Sequence, residues 1–182
     1  MAVSMPAKTR ARTPAAVKSE APDENGLVDQ LVAAWAVNNR LNLMLLDHIT
    51  DDGLKATLSA RGGRTVGRQL AHMHMVRVGW LENSRGRGLV AGVTRFDSKA
   101  EPGRAELKKA FAASGDAVAA FLRDQMTGPR RPASVRGGVG VWFGYLLAHE
   151  GHHRGSMLLT LKQTGHALDE SMRWGIWAWD KI

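Results

Sequence analysis

The chain has 182 residues, enough for one domain with a substantial core and too few for two of ordinary size. Apolar residues make up 44% and charged residues 23%, and no apolar run approaches bilayer length, so a soluble protein without a membrane partner is expected, with the cytoplasm as its default location. There is no cysteine, which excludes disulfides, thiolate zinc sites and cysteine nucleophiles and leaves any metal to nitrogen and oxygen donors, and the formal charge is +8.

The basic residues Lys8, Arg10, Arg12, Arg61, Arg64, Arg68, Arg85, Arg87, Arg130 and Arg131 are scattered, without the aromatic interleaving of single-strand binders. A solvated surface accounts for them, and nucleic acid is not an expected partner.

Residues 1–25, MAVSMPAKTRARTPAAVKSEAPDEN, lack bulky apolar side chains and cannot bury enough surface to offset the entropy of ordering. A disordered tail is expected there, followed by one domain over 26–182. The first acidic residue is Glu20, which also suits a transit peptide, but no apolar core of a secretory signal is present.

From Leu27 to Ile49 apolar residues recur at helical spacing (Leu27, Leu31, Ala34, Trp35, Leu41, Leu45), with Asn38 on the same stripe, and this predicts the first helix. TDDGLKATLSARGGR, with Gly53 and Gly62-Gly63, reads as a connection, after which Thr65 caps a second helix through VGRQLAHMHMVRVGWLENS. Arg85 to Gly103 reads as a loop, and RAELKKAFAASGDAVAAFLRDQM as a third amphipathic helix slightly weakened by Gly115. TGPRRPASVRGGVG is a further connection, and VWFGYLLAHEGHHRGSMLLTLKQTG a fourth helix ended by Gly165. Four long helices and hardly any strand-like alternation predict an all-α four-helix bundle, with the short Trp-rich segment RWGIWAWDKI packed onto it at the C-terminus.

Three of the seven histidines fall in HEGHH, residues 149–153. On a helix, His149 and His153 lie nearly above one another and can present two imidazoles to one ion, with His152 in the same broad sector. A further ligand is available from AHMHM, where His72 and His74 point to nearly opposite sides of the second helix; spacing alone does not choose between them. His48 suits the C-terminal end of its helix, and His166 an exposed turn.

HEGHH also matches the H-E-x-x-H signature of zinc proteases, in which Glu150 would be the general base. The longer metzincin form fails, because Ser156 stands at its Gly and Leu159 at its last His. Glu170, the other available ligand, follows Gly165 in a polar turn, and no sheet edge is present to bind a peptide as an added strand.

TVGRQLAHMHMVRVGWLE and LLAHEGHHRGSM, followed by LKQTGHALDES and WGIWAWDK, instead resemble the DinB/YfiT-like family of metal-binding four-helix bundles, from about Leu27 to Trp179. The second piece is similar to that family's H-x-x-x-H-R-G-Q segment, with Ser156 in place of the Gln, which removes an amide but no metal ligand. The resemblance implies that the three metal histidines are His72, His149 and His153. It implies an antiparallel-type bundle, often a homodimer, with a divalent ion, zinc or nickel, near one end of the helices.

It further implies a metal-dependent enzyme acting on a small molecule, either a thiol S-transferase or isomerase using a low-molecular-weight thiol, or a hydrolase. The alternative is a non-catalytic, stress-associated protein whose metal is structural or a sensor. Glu150 and His152, beside the ligands, are candidates for orientation or proton transfer, and each is equally well read as a helix-surface or packing residue.

Overall fold

The structure, a computed structural model, describes residues 24–128 and 137–179. Six α-helices are found among these residues: α1 (Glu24–His48), α2 (Asp51–Lys55), α3 (Val66–Glu82), α4 (Arg104–Thr127), α5 (Val139–Gln163) and α6 (Glu170–Gly175), with a 3-10 turn at Arg87–Val90. No strand occurs among them, and no described helix is long and apolar enough to cross a membrane. The four long helices are the expected bundle.

The helix starts follow from capping chemistry. The Thr65 hydroxyl accepts from the Arg68 backbone N–H at 3.1 Å, and the Glu106 carboxylate accepts from the Gly103 N–H at 3.0 Å. At the end of α5, Gly165 takes φ +82°, and the His166 N–H reaches back to the Leu161 carbonyl at 2.8 Å. That is a Schellman stop, so Gly165 lies just past the Thr164 cap, and an L side chain there would be strained.

Cross-helix pairs give the directions. Arg123 meets Asp29, Trp35 meets Gly115 and Lys108 meets Asp47, so α1 and α4 run antiparallel. Gln69 meets His153 and Trp80 meets Tyr145, so α3 and α5 are antiparallel as well. Asn38 meets Glu150 and Asn42 meets both Glu150 and Arg154, so α1 and α5 are parallel. His74 meets Ser114, and Gly86 lies against Phe121, so α3 and α4 are parallel neighbours. Parallel neighbours cannot be joined by a tight turn, which is why residues 83–103 form a long connection across the bundle.

The core has two apolar halves. One gathers Trp35, Val78, Leu81, Phe121, Trp142 and Leu146; the other gathers Leu45, Leu70, Met73, Phe111, Met157 and Leu161. Between them lies a fully buried polar layer drawn from all four helices: Asn38 and Asn42 from α1, His74 and Arg77 from α3, Ser114 from α4 and Glu150 from α5.

Several expectations need correction. α1 begins at Glu24, so Glu24 and Asn25 belong to it, and the rest of the expected disordered tail lies outside the described residues. The connection after α1 contains α2, started by the Thr50 hydroxyl accepting from the Gly53 N–H. Part of the connection at 127–140 lies outside the described residues, and α5 starts within it, at Val139. The tryptophans of the C-terminal segment do not anchor it: Trp174 and Trp177 are 67% and 72% exposed, while Met172, with Ile176 beside it, packs into the core. Bulk favoured burying the indoles, but α6 turns its Met172 face inward.

Candidate metal centre

His72 comes from α3, and His149 and His153 from successive turns of α5. Because α3 and α5 are direct neighbours, the three rings converge, with centroids 5.3 Å apart for His72 and His149, 5.1 Å for His72 and His153, and 4.6 Å for His149 and His153. One ring nitrogen from each lies within 4.8 Å of the others. This is the only group of three or more potential ligands among the described residues, and no carboxylate joins it. The cluster is compatible with a divalent metal. It sits midway along α3 and α5, beside the buried polar layer, not near a helix end as the resemblance implied.

Two details test the fit of an ion. His149 Nδ1 is buried with no hydrogen-bond partner, a lone pair or proton without a use inside the protein. The His153 Nδ1–H donates to Gln69 Oε1 at 3.4 Å, which turns Nε2 free as a lone pair. Both features suit imidazoles that ligate an ion.

Basicity is lowered at all three positions. Burial pushes His153 from 6.5 to about 4, helped by the neighbouring histidines and Arg64. Burial, Arg64 and His149 lower His72; burial lowers His149, with Glu150 opposing and His152 and Arg64 adding to the fall. The rings therefore stay neutral, as a metal ligand must, to lower pH than free histidine.

His74 is engaged elsewhere. Its Nε2–H donates to the Thr94 carbonyl at 2.7 Å, and its Nδ1 accepts from the Ser114 hydroxyl at 3.1 Å. With both nitrogens used and its ring against Phe96, it is a satisfied core histidine. His48 is exposed and donates from Nδ1 to the Met44 carbonyl at 2.9 Å, closing the end of α1 as expected. His166 is half-buried in the turn after α5, where exposure was expected.

Glu150 takes the packing role and neither the catalytic nor the surface one, since its carboxylate turns away from the cluster into the core. One residue on from His149, it points into the core and receives Arg77 Nε at 2.6 Å and Nη2 at 2.9 Å, with the Asn38 and Asn42 amides at 2.7 Å each. Burial alone would raise its carboxyl, but the charge and hydrogen bonds of Arg77, then Asn38 and Asn42, hold it below the usual range. The Arg77 guanidinium is itself sandwiched between the Trp35 and Phe111 rings at 4.7 and 4.6 Å, and it donates to Asn39 Oδ1 at 2.7 Å. A carboxylate so engaged is no general base. His152 is exposed, its ring 5.2 Å from that of His153.

Arg77, Asn38, Asn39 and Asn42 were not singled out as a network from the sequence. The available signal was Asn38 falling on an otherwise apolar stripe, which requires a buried partner. Gln69 gave no signal, because its part depends on the facing helix.

Two small hollows flank the cluster. One, about 230 Å³, is lined by Arg64, Arg68, His72, Met75 and Asp97 among others. The second lies along Met75, Gly79, Trp80 and Tyr145, and Tyr145 stacks on His149 at 5.7 Å.

The DinB family model matches residues 21–171, most of the chain and all three clustered histidines. No curated protein and no solved structure matches the chain.

Proposed function

The chain belongs to the DinB family, and from that premise we propose that His72, His149 and His153 hold a divalent metal, zinc or nickel, at a site that acts on a small molecule. The observation that carries this reading is the convergence of three neutral imidazoles with no carboxylate among them. When bound, such an ion supplies Lewis acidity that lowers the pKa of a thiol or water toward neutrality.

The chain's own residues favour a thiol reaction over hydrolysis. Protease-type hydrolysis needs a carboxylate base beside the ligands, and the one adjacent carboxylate, Glu150, is buried against Arg77. A thiol brought to its thiolate form needs no such base. Gln69 orients His153, Tyr145 holds the His149 ring flat, and half-exposed His72 and His149 leave the cluster open to solvent. We read the protein as a metal-dependent thiol S-transferase or isomerase, using a low-molecular-weight thiol as cosubstrate. A homodimer is part of this proposal, supported by the exposed apolar hollow of Leu158, Leu159, Trp174, Ile176 and Trp177.

That Glu150, the carboxylate next to the ligands, is held by Arg77 also favours a second reading, a non-catalytic protein whose metal is structural or a sensor. Transfer of a small thiol to a generic electrophile separates the two. The first reading expects turnover that chelation abolishes while the bundle stays folded; no turnover, together with unfolding on chelation, supports a structural metal.

A further inference from the structure

The surroundings of the cluster specify the charge and shape of what it takes. Arg64, two residues before α3, is exposed, and among the described residues it makes no ion pair and no side-chain hydrogen bond. It lines the hollow that His72 opens into, and its charge reaches all three histidines.

The other charged groups of that hollow are Arg68 and Asp97. Arg68 donates to the Ser98 carbonyl at 3.1 Å and lies 3.9 Å from Glu101, so it holds the loop that forms the far wall. Asp97 accepts the Lys99 backbone N–H at 2.8 Å. A divalent ion on three neutral ligands, with a free guanidinium beside it, leaves local positive charge in excess of the one carboxylate that lines the hollow, the exposed Asp97.

On the opposite side the cleft is apolar. Met75 lines both hollows, so they adjoin, and the second runs over Gly79 to Trp80 and Tyr145. A Cβ at Gly79 would meet nothing within 4 Å, so the groove floor is open there. Trp80 lies about 12 Å beyond His72 along α3, by helical rise. Its ring packs edge-on against Tyr145 at 5.3 Å, and both rings are partly exposed.

We propose that this cleft takes a small organic anion with an aromatic or other flat apolar body, its anionic group at Arg64 and its body against Trp80 and Tyr145, spanning the histidines. The proposal deepens the reading of the cluster as a metal site acting on a small molecule and rests on it. Arg64 is thereby a specificity-determining residue, pairing with a carboxylate, sulfonate or phosphate, and the two rings supply stacking area.

The test titrates phenylbutyrate and its neutral amide, phenylbutyramide, into the full chain by calorimetry, with metal content measured separately. Wild type, R64Q and W80A are compared, each zinc-loaded and after chelation. Both substitutions are of partly exposed side chains, and far-ultraviolet circular dichroism checks that the variants fold. Wild type is expected to bind the acid at least tenfold tighter than the amide, R64Q to lose that preference, and W80A to weaken acid and amide by a similar factor. Equal binding of acid and amide, no binding of either at millimolar concentration, or an acid preference unchanged in R64Q and abolished by chelation would overturn it, the last because the anion then only ligates the metal. If the protein holds no metal yet keeps an Arg64-dependent preference, the metal reading fails and the anion site stands.

Discussion

Histidines of one sequence neighbourhood have been assigned opposite duties by what faces them. His72 meets the α5 histidines, whereas His74, two positions on, is consumed by Thr94 and Ser114. Replacing His74 with Ala should therefore cost on the order of 1–3 kcal/mol in denaturant unfolding, because the Ser114 and Thr94 groups lose a buried partner. Gln69→Leu should leave the fold intact and weaken zinc binding by about tenfold or more, measured by chelator competition, since His153 loses the group that fixes its ring. Glu150→Ala should be the most damaging of these changes, about 3–5 kcal/mol, because it strands Arg77 in the core. At this scale the sequence was legible where spacing carries information, as in the i, i+4 pair of His149 and His153. It was not legible for Glu150, whose direction depends on an arginine more than seventy positions away.

Single elements show how a close approach is built. The α1–α4 contact brings Asn39 so near Gly115 that a Cβ there would lie 2.2 Å from the Asn39 amide, and Trp35 Nε1–H donates to the Gly115 carbonyl at 2.8 Å. Gly115 thus permits the helix contact instead of merely weakening α4. Gly115→Ala should destabilise the protein by about 1–3 kcal/mol despite the better helix propensity of Ala, whereas Gly79→Ala, in open space, should be neutral or stabilising. Thermal denaturation of the two variants checks the contrast. Helix number, order and approximate ends were readable from periodicity and capping residues, since both are local. The short α2 and the outward-facing tryptophans were not, because a single turn has too few residues to show a period and a Trp cluster carries no record of which side faces the bundle.

For the whole molecule, two apolar halves joined by a polar layer whose Arg77 and Glu150 charges pair with each other predict a bundle that stands without its metal. Acid is what should undo it. His153, at about 4 when folded against 6.5 ordinarily, binds fewer protons than in the unfolded chain, so stability falls as pH drops from about 6.5 toward 4. His72 and His149, also lowered, act in the same direction. Glu150, held below its ordinary range, contributes stability that is present above its unfolded value and lost as pH falls through its folded one, so the decline continues further into acid. Metal-free protein should lose on the order of 3 kcal/mol between pH 6.5 and 4 in denaturant titrations. A flat profile would mean that the histidines are solvated.

The central claim, that His72 from α3 completes the α5 pair as a metal site, is met most directly by elemental analysis of purified wild type beside His72→Ala, His74→Ala and His149→Ala. The wild type and the His74 variant should carry stoichiometric divalent metal, and the His72 and His149 variants should lose it while remaining helical. Metal retained by the His72 variant and lost by the His74 variant would contradict the account.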